Sequence, residues 1–177
     1  MRKTTRWSTM RLTDSALLIS LTLVLEGCGA PSDASIIARF NAHRAEFNQL
    51  VEMLRTDGIE GRLRCDRRST EGDDAVRGQQ PISAPHRSEY EKIFQDYGCD
   101  TAVYYYGGNG IAHFPLWSKG MLWAGAGKSV MFIPDNTPTP LLASTDNYHW
   151  TQRDHAQGGV TLYRHIDGPW YVEYDEN

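Results

Sequence analysis

Apolar residues recur at three- and four-residue intervals near the start of the folded part of the chain. Ile36, Phe40, Phe47, Leu50, Val51 and Leu54 follow this spacing, while Arg39, Arg44, Glu46 and Glu52 fall mostly elsewhere. Such spacing lines one side of a helix. It predicts a long amphipathic helix packed on a sheet, with Asp33 or Ser35 as its cap. Thr56-Asp57-Gly58 ends it, because glycine accepts the left-handed conformation favoured at a helix end. Residues 59–65 suit a short strand. A second helix is predicted over 88–97, with Tyr90, Ile93, Phe94 and Tyr97 on one side. Pro85 and Ser88 suit its start and Gly98 its end.

From Thr101 the pattern changes to extended structure. Residues 101–106 and 111–117 flank the turn cluster Gly107-Gly108-Asn109-Gly110 and predict a hairpin. Ser118-Lys119-Gly120 reads as the next turn. Short strands follow at 121–126 and 130–133, separated around Gly127-Lys128, before Pro134 to Pro140 break the sheet. The clearest hairpin is the last, with 160–166 and 170–174 flanking Asp167-Gly168. A loop of those two residues sets His165 opposite Trp170; adding Pro169 sets Ile166 there instead. The stretches 66–85 and 141–159 are polar and aperiodic, and no repeat is visible. The sum is an α+β fold, two N-terminal helices packed on an antiparallel sheet built of hairpins, in one globular domain over 36–177.

The N-terminal segment has a different character. Arg2, Lys3, Arg6 and Arg11 precede an apolar run from Ala16 to Leu25, too short to span a bilayer, and small residues follow at Gly27, Gly29 and Ala30. Basic, apolar, small is the layout of an export signal. The ending Leu25-Glu26-Gly27-Cys28 is more specific and resembles the lipobox of bacterial lipoproteins, although Glu26 stands where a small or apolar residue is usual. The resemblance implies a signal peptide over 1–27, acylation of Cys28 (palmitate among the chains) and a lipidated tether over 28–35. It also implies a cell-envelope address with the membrane as partner. Gly29 rather than Asp after the cysteine favours the outer membrane, facing the periplasm. The remainder resembles small uncharacterised proteobacterial lipoproteins through Phe40-Asn41-x-His43-Arg44-x-x-Phe47, Ser118-Lys119-Gly120 and His165-Ile166-Asp167-Gly168-Pro169-Trp170-Tyr171. These motifs imply no activity. Some envelope lipoproteins of this size act as immunity proteins against secreted toxins.

Charge and cysteine count follow from that cleavage. Four of the 18 basic and two of the 22 acidic side chains lie in residues 1–27, so the remainder carries 14 against 20, a formal charge of −6. An acidic domain is a poor electrostatic partner for nucleic acid or anionic lipid head groups. With Cys28 committed to lipid, Cys65 and Cys99 are left to pair as a disulfide in an oxidising compartment.

Candidate chemistry is sparse. Gly125-Ala126-Gly127-Lys128-Ser129 suggests a phosphate loop, but the first glycine of that motif would fall on Leu122, and a β-turn is the better reading. His149, Asp154 and His155, with Asp146 nearby, have side chains that suit zinc at a spacing that fits no metal site, so no metal or other cofactor is expected. Ser118, His113, His165 and Asp167 offer hydrolase residue types without a nucleophile elbow, and no catalytic residue is assigned. His165 is best taken as a hydrogen-bonded residue beside aromatic rings. Aromatic side chains crowd the second half of the chain. Trp123 and Trp170 are expected in the core, and Tyr105 and Trp150 on a partner-binding surface. The leading expectation is a non-enzymatic, protein-binding envelope lipoprotein, in its most concrete form an immunity or inhibitor protein against a periplasm-acting toxin. The alternatives are a cell-envelope hydrolase or metal-dependent enzyme, and a structural lipoprotein that helps assemble an envelope complex.

Overall fold

The structure, a computed structural model, describes residues 30–65, 82, 84–99, 101–121, 124–146, 148 and 158–177. Three helices, α1 (Asp33–Ala42), α2 (Arg44–Thr56) and α3 (Ala84–Tyr97), accompany six strands. The strands are β1 (Gly61–Arg64), β2 (Ala102–Tyr106), β3 (Ile111–Met121), β4 (Ala124–Phe132), β5 (Val160–Asp167) and β6 (Trp170–Glu176). They form one sheet in the order β1-β2-β3-β4-β6-β5, and every neighbouring pair is antiparallel. The fold is therefore α+β, with α1 and α2 preceding the sheet in the chain. Side chains alternate between the two faces of a strand. One face carries Leu63, Val103, Tyr105, Phe114, Val130, Trp170 and Val172 into a core shared with all three helices. All the apolar residues that predicted the two helices are buried there.

The first expected helix is two. The backbone leaves helical geometry at His43, with φ −121° and ψ 24°. A continuous helix would separate Phe40 from Phe47 by about 10.5 Å along its axis. The break brings their rings to 5.5 Å, and both contact Trp170, at 4.9 and 6.0 Å. It also lets Arg44 reach the last hairpin, where its guanidinium lies 2.6 Å from an Asp167 carboxylate oxygen. The segments 40–47 and 165–171 are thus one packing unit. The helix also starts earlier than expected. Ser32 is the cap, accepting from the Ser35 amide at 3.2 Å, and Asp33 is the first helical residue, so residues 33–35 of the expected tether are helical.

Two expected turns are strand. Ser118-Lys119-Gly120 lies inside β3, and Gly127-Lys128 lies inside an unbroken β4. Glycine disguised this hairpin as loop, but Gly125 is a point of close approach: a Cβ there would stand 3.0 Å from the Lys119 carbonyl oxygen. The last hairpin takes neither expected register. Asp167 pairs with Trp170 across Gly168-Pro169, and a bulge at Ile166 restores His165 opposite Tyr171.

Cys65, just after β1, and Cys99, just after α3, are joined by a disulfide, with Cα atoms 5.8 Å apart. The bridge closes a loop of sequence separation 34. In the loop-entropy model this constrains the unfolded chain by about 3–4 kcal/mol. Arg39 adds a second tie, donating from Nε to the Tyr97 carbonyl at 3.0 Å and from Nη2 to the Gly98 carbonyl at 2.8 Å. Those are carbonyls that the end of α3 leaves without helical partners.

Candidate functional site

Two polar clusters sit on opposite faces of the sheet. On the helix-covered face, positions 126, 128, 130 and 132 of β4 point inward together, and Lys128 takes one of them. Its side chain is 2 % exposed and that of Asp33 is fully buried. The Lys128 ammonium donates to Asp33 at 2.9 Å and to Asp146 at 2.6 Å. Asp33 also accepts from the Thr145 amide at 2.7 Å, the Ser144 hydroxyl at 3.1 Å and Arg164 at 3.3 Å. The Asp33 amide in turn donates to Asp146 at 2.7 Å, so a donor at the start of α1 is satisfied. Burial alone pushes the Asp33 carboxyl up, but the hydrogen bonds and charge of Lys128, with those of Thr145, outweigh it and hold the group well below the usual carboxylate range. Two acids face two bases. The cluster fastens α1, β4, β5 and the segment 144–146 to one another.

Among the described residues no helix lies on the other face. Here His113 Nε2 lies 2.6 Å from the Ser129 hydroxyl and 3.1 Å from a Glu173 carboxylate oxygen, and the Tyr104 ring stacks on the imidazole at 5.7 Å. The Tyr163 hydroxyl is pushed up to about 12, first by burial and then by the negative charge of Glu173, to which it hydrogen-bonds. Asp175 lies two residues beyond Glu173 on the same face and accepts from Thr161 at 3.1 Å. Burial raises its carboxyl, and Glu173 adds to the rise. Met131, Ile133 and Tyr171 form a small apolar cluster beside these groups.

This second cluster has hydrolase residue types but not a relay. A serine–histidine–carboxylate relay uses opposite ring nitrogens, one toward the nucleophile and one toward the orienting acid. Here Ser129 and Glu173 share a single nitrogen, Nε2. A carboxylate oxygen beside Nε2 favours the tautomer that carries its proton there, and in that tautomer the imidazole donates and does not take a proton from the serine.

The residues singled out from sequence are scattered. Tyr105 is 4 % exposed and packs in the helix-side core, which corrects its expected place on a partner-binding surface. The strand alternation is the cause: Tyr105 pairs with Ala112, a core position, and it is Tyr104 and Tyr106 that face outward. Trp170 is in the core as expected. His165 Nε2 is 2.9 Å from the Gly168 carbonyl and its ring lies 5.2 Å from that of Tyr171, as a hydrogen-bonded residue beside aromatic rings. Asp167 is paired with Arg44, so neither joins His113. Cys28, Trp123, His149, Trp150, Asp154 and His155 and most of the expected loop 66–85 lie outside the described residues. Among the described residues no three His, Cys, Asp or Glu side chains gather as metal ligands, and no helix is long and apolar enough to cross a membrane. Lys128 and Ser129 enter the sequence reading only through the phosphate-loop motif and Asp146 only beside the histidines, and Arg164 and Glu173 do not enter it. The available signal was Lys128 in register with Val130 and Phe132, an inward position that a cation occupies only with partners.

Comparison with known proteins adds no identity: no family model matches the chain, and no curated protein or solved structure matches it.

Proposed function

We propose that the chain is an envelope lipoprotein, acylated at Cys28, whose sheet face opposite the helices binds a protein partner. The observation that carries this reading is the asymmetry of the sheet. Helices bury one face, and the other holds Tyr104, His113, Tyr163, Glu173 and Asp175 over a small apolar cluster. Aromatic side chains beside desolvated polar groups are the kind of surface that concentrates binding energy in protein complexes. The sequence supports the address through its lipobox, and the formal charge of −6 after residue 27 suits a basic partner.

The most concrete form is an inhibitor of a periplasm-acting toxin, since enzymes that attack anionic envelope polymers present basic surfaces. Deleting the gene together with its neighbours and confronting the cells with their siblings tests it. Survival should fall, return with the natural chain, and stay low with Tyr104→Ala or Glu173→Ala chains that retain the disulfide. Unchanged survival removes the inhibitor reading.

A further inference from the structure

The position of Asp33 ties the membrane anchor to one side of the domain. Only Gly29, Ala30, Pro31 and Ser32 separate Cys28 from Asp33. Five Cα-to-Cα steps reach about 17 Å at full stretch. A domain of this size has a radius of gyration of about 14–15 Å and is therefore wider than the tether is long. The tether does not lengthen by fraying of α1, because Asp33 is fully buried and bonded to Lys128, Thr145, Ser144 and Arg164. If Cys28 is acylated, the surface around Asp33 is the one held against the bilayer.

That surface has a definite composition. The segment 144–146 lies directly on Asp33. Three residues upstream, Leu141 is 45 % exposed; the only other exposed large apolar residue among those described is Tyr106. Leu141 is held out on fixed backbone. The Leu142 amide donates to the Tyr163 carbonyl at 2.7 Å, and the Tyr163 amide donates to the Pro140 carbonyl at 3.1 Å. The cluster beneath this surface adds no net negative charge, because Asp33 and Asp146 are matched by Lys128 and Arg164.

We propose that the loop 141–146 is the surface on which the domain rests against the bilayer, with Leu141 seated among the lipid head groups. This rests on the lipoprotein reading and goes beyond it by naming the membrane-facing side.

The test places photoreactive benzoylphenylalanine at Leu141 or at Tyr106 in the full chain, expressed and irradiated in its own cells. Tyr106 is the control, equally exposed but on β2, two strands away from β4. Both substitutions are at exposed positions, and the intact disulfide reports that each chain has folded. Intact mass should show phospholipid adducts severalfold more often from position 141 than from 106. Equal yields, or none from 141, on chains carrying acyl groups at Cys28 would overturn the proposal and leave the lipoprotein reading standing. Chains without acyl groups would bring down that reading and this proposal with it.

Discussion

Replacing Lys128 by Met removes the charge that holds Asp33 ionised inside the domain. Met fills much of the same volume, so the loss is electrostatic rather than a cavity. In the natural chain Lys128 lies 2.9 Å from Asp33 and 2.6 Å from Asp146, with its side chain 2 % exposed. Removing one member of a buried pair costs about 3–5 kcal/mol, because the remaining charge is left desolvated. Arg164, at 3.3 Å from Asp33, offsets part of this, which favours the lower end of that range. The pH dependence carries the sharper sign. In the natural chain the Asp33 carboxyl is held low, so its contribution is present above the unfolded-state value and is lost only as pH falls through the depressed native one. Without Lys128, burial dominates and the carboxyl moves above its unfolded value. The folded state then binds more protons than the unfolded state, and the variant gains stability as pH falls. Urea unfolding at pH 7 and pH 4 should show the penalty of Lys128→Met shrinking on acidification. A penalty below about 1 kcal/mol at pH 7, or one that grows toward pH 4, would refute the buried-pair account.

The other predictions concern separate elements. Asp33→Asn combined with Lys128→Met should cost less than the sum of the single changes by about 1–3 kcal/mol, measured as a double-mutant cycle, because Asp146 and Arg164 remain as a balanced pair. Replacing Cys65 and Cys99 by Ala should lower the unfolding free energy by about 3–4 kcal/mol, read by urea titration against the oxidised chain. Arg39→Ala should cost about 1.5–3 kcal/mol and raise amide exchange at the end of α3, since charged donors are withdrawn from the Tyr97 and Gly98 carbonyls. Spectrophotometric titration of Tyr163→Phe should lose a tyrosine that ionises near 12. That hydroxyl's stabilising contribution is complete below the ordinary tyrosine value and disappears as pH rises through the native one.

Local periodicity made most of the fold legible. The apolar stripes of the helices and the strands around Gly107 to Gly110 and Asp167-Gly168 each follow from spacing and turn chemistry within about twenty residues. The errors come from interactions between distant residues. The break at His43 exists because Phe40, Phe47 and Arg44 all meet the last hairpin, which nothing in the helix itself announces. Glycines in β3 and β4 imitate a turn because backbone approach, not chain reversal, requires them. Tyr105 was misplaced because three consecutive tyrosines do not reveal which of them face inward. The ionic cluster was hidden for the same reason: Asp33 and Lys128 are 95 residues apart, and only the sheet brings them together.

The account depends most on Cys28. Intact-mass measurement of the chain isolated from its own cells, without reduction, tests it in one step. The account predicts a polypeptide that begins at Cys28, carries acyl chains, lacks two hydrogens for the Cys65–Cys99 bridge and is recovered with membranes. A soluble chain that retains residues 1–27 and three free thiols would contradict it.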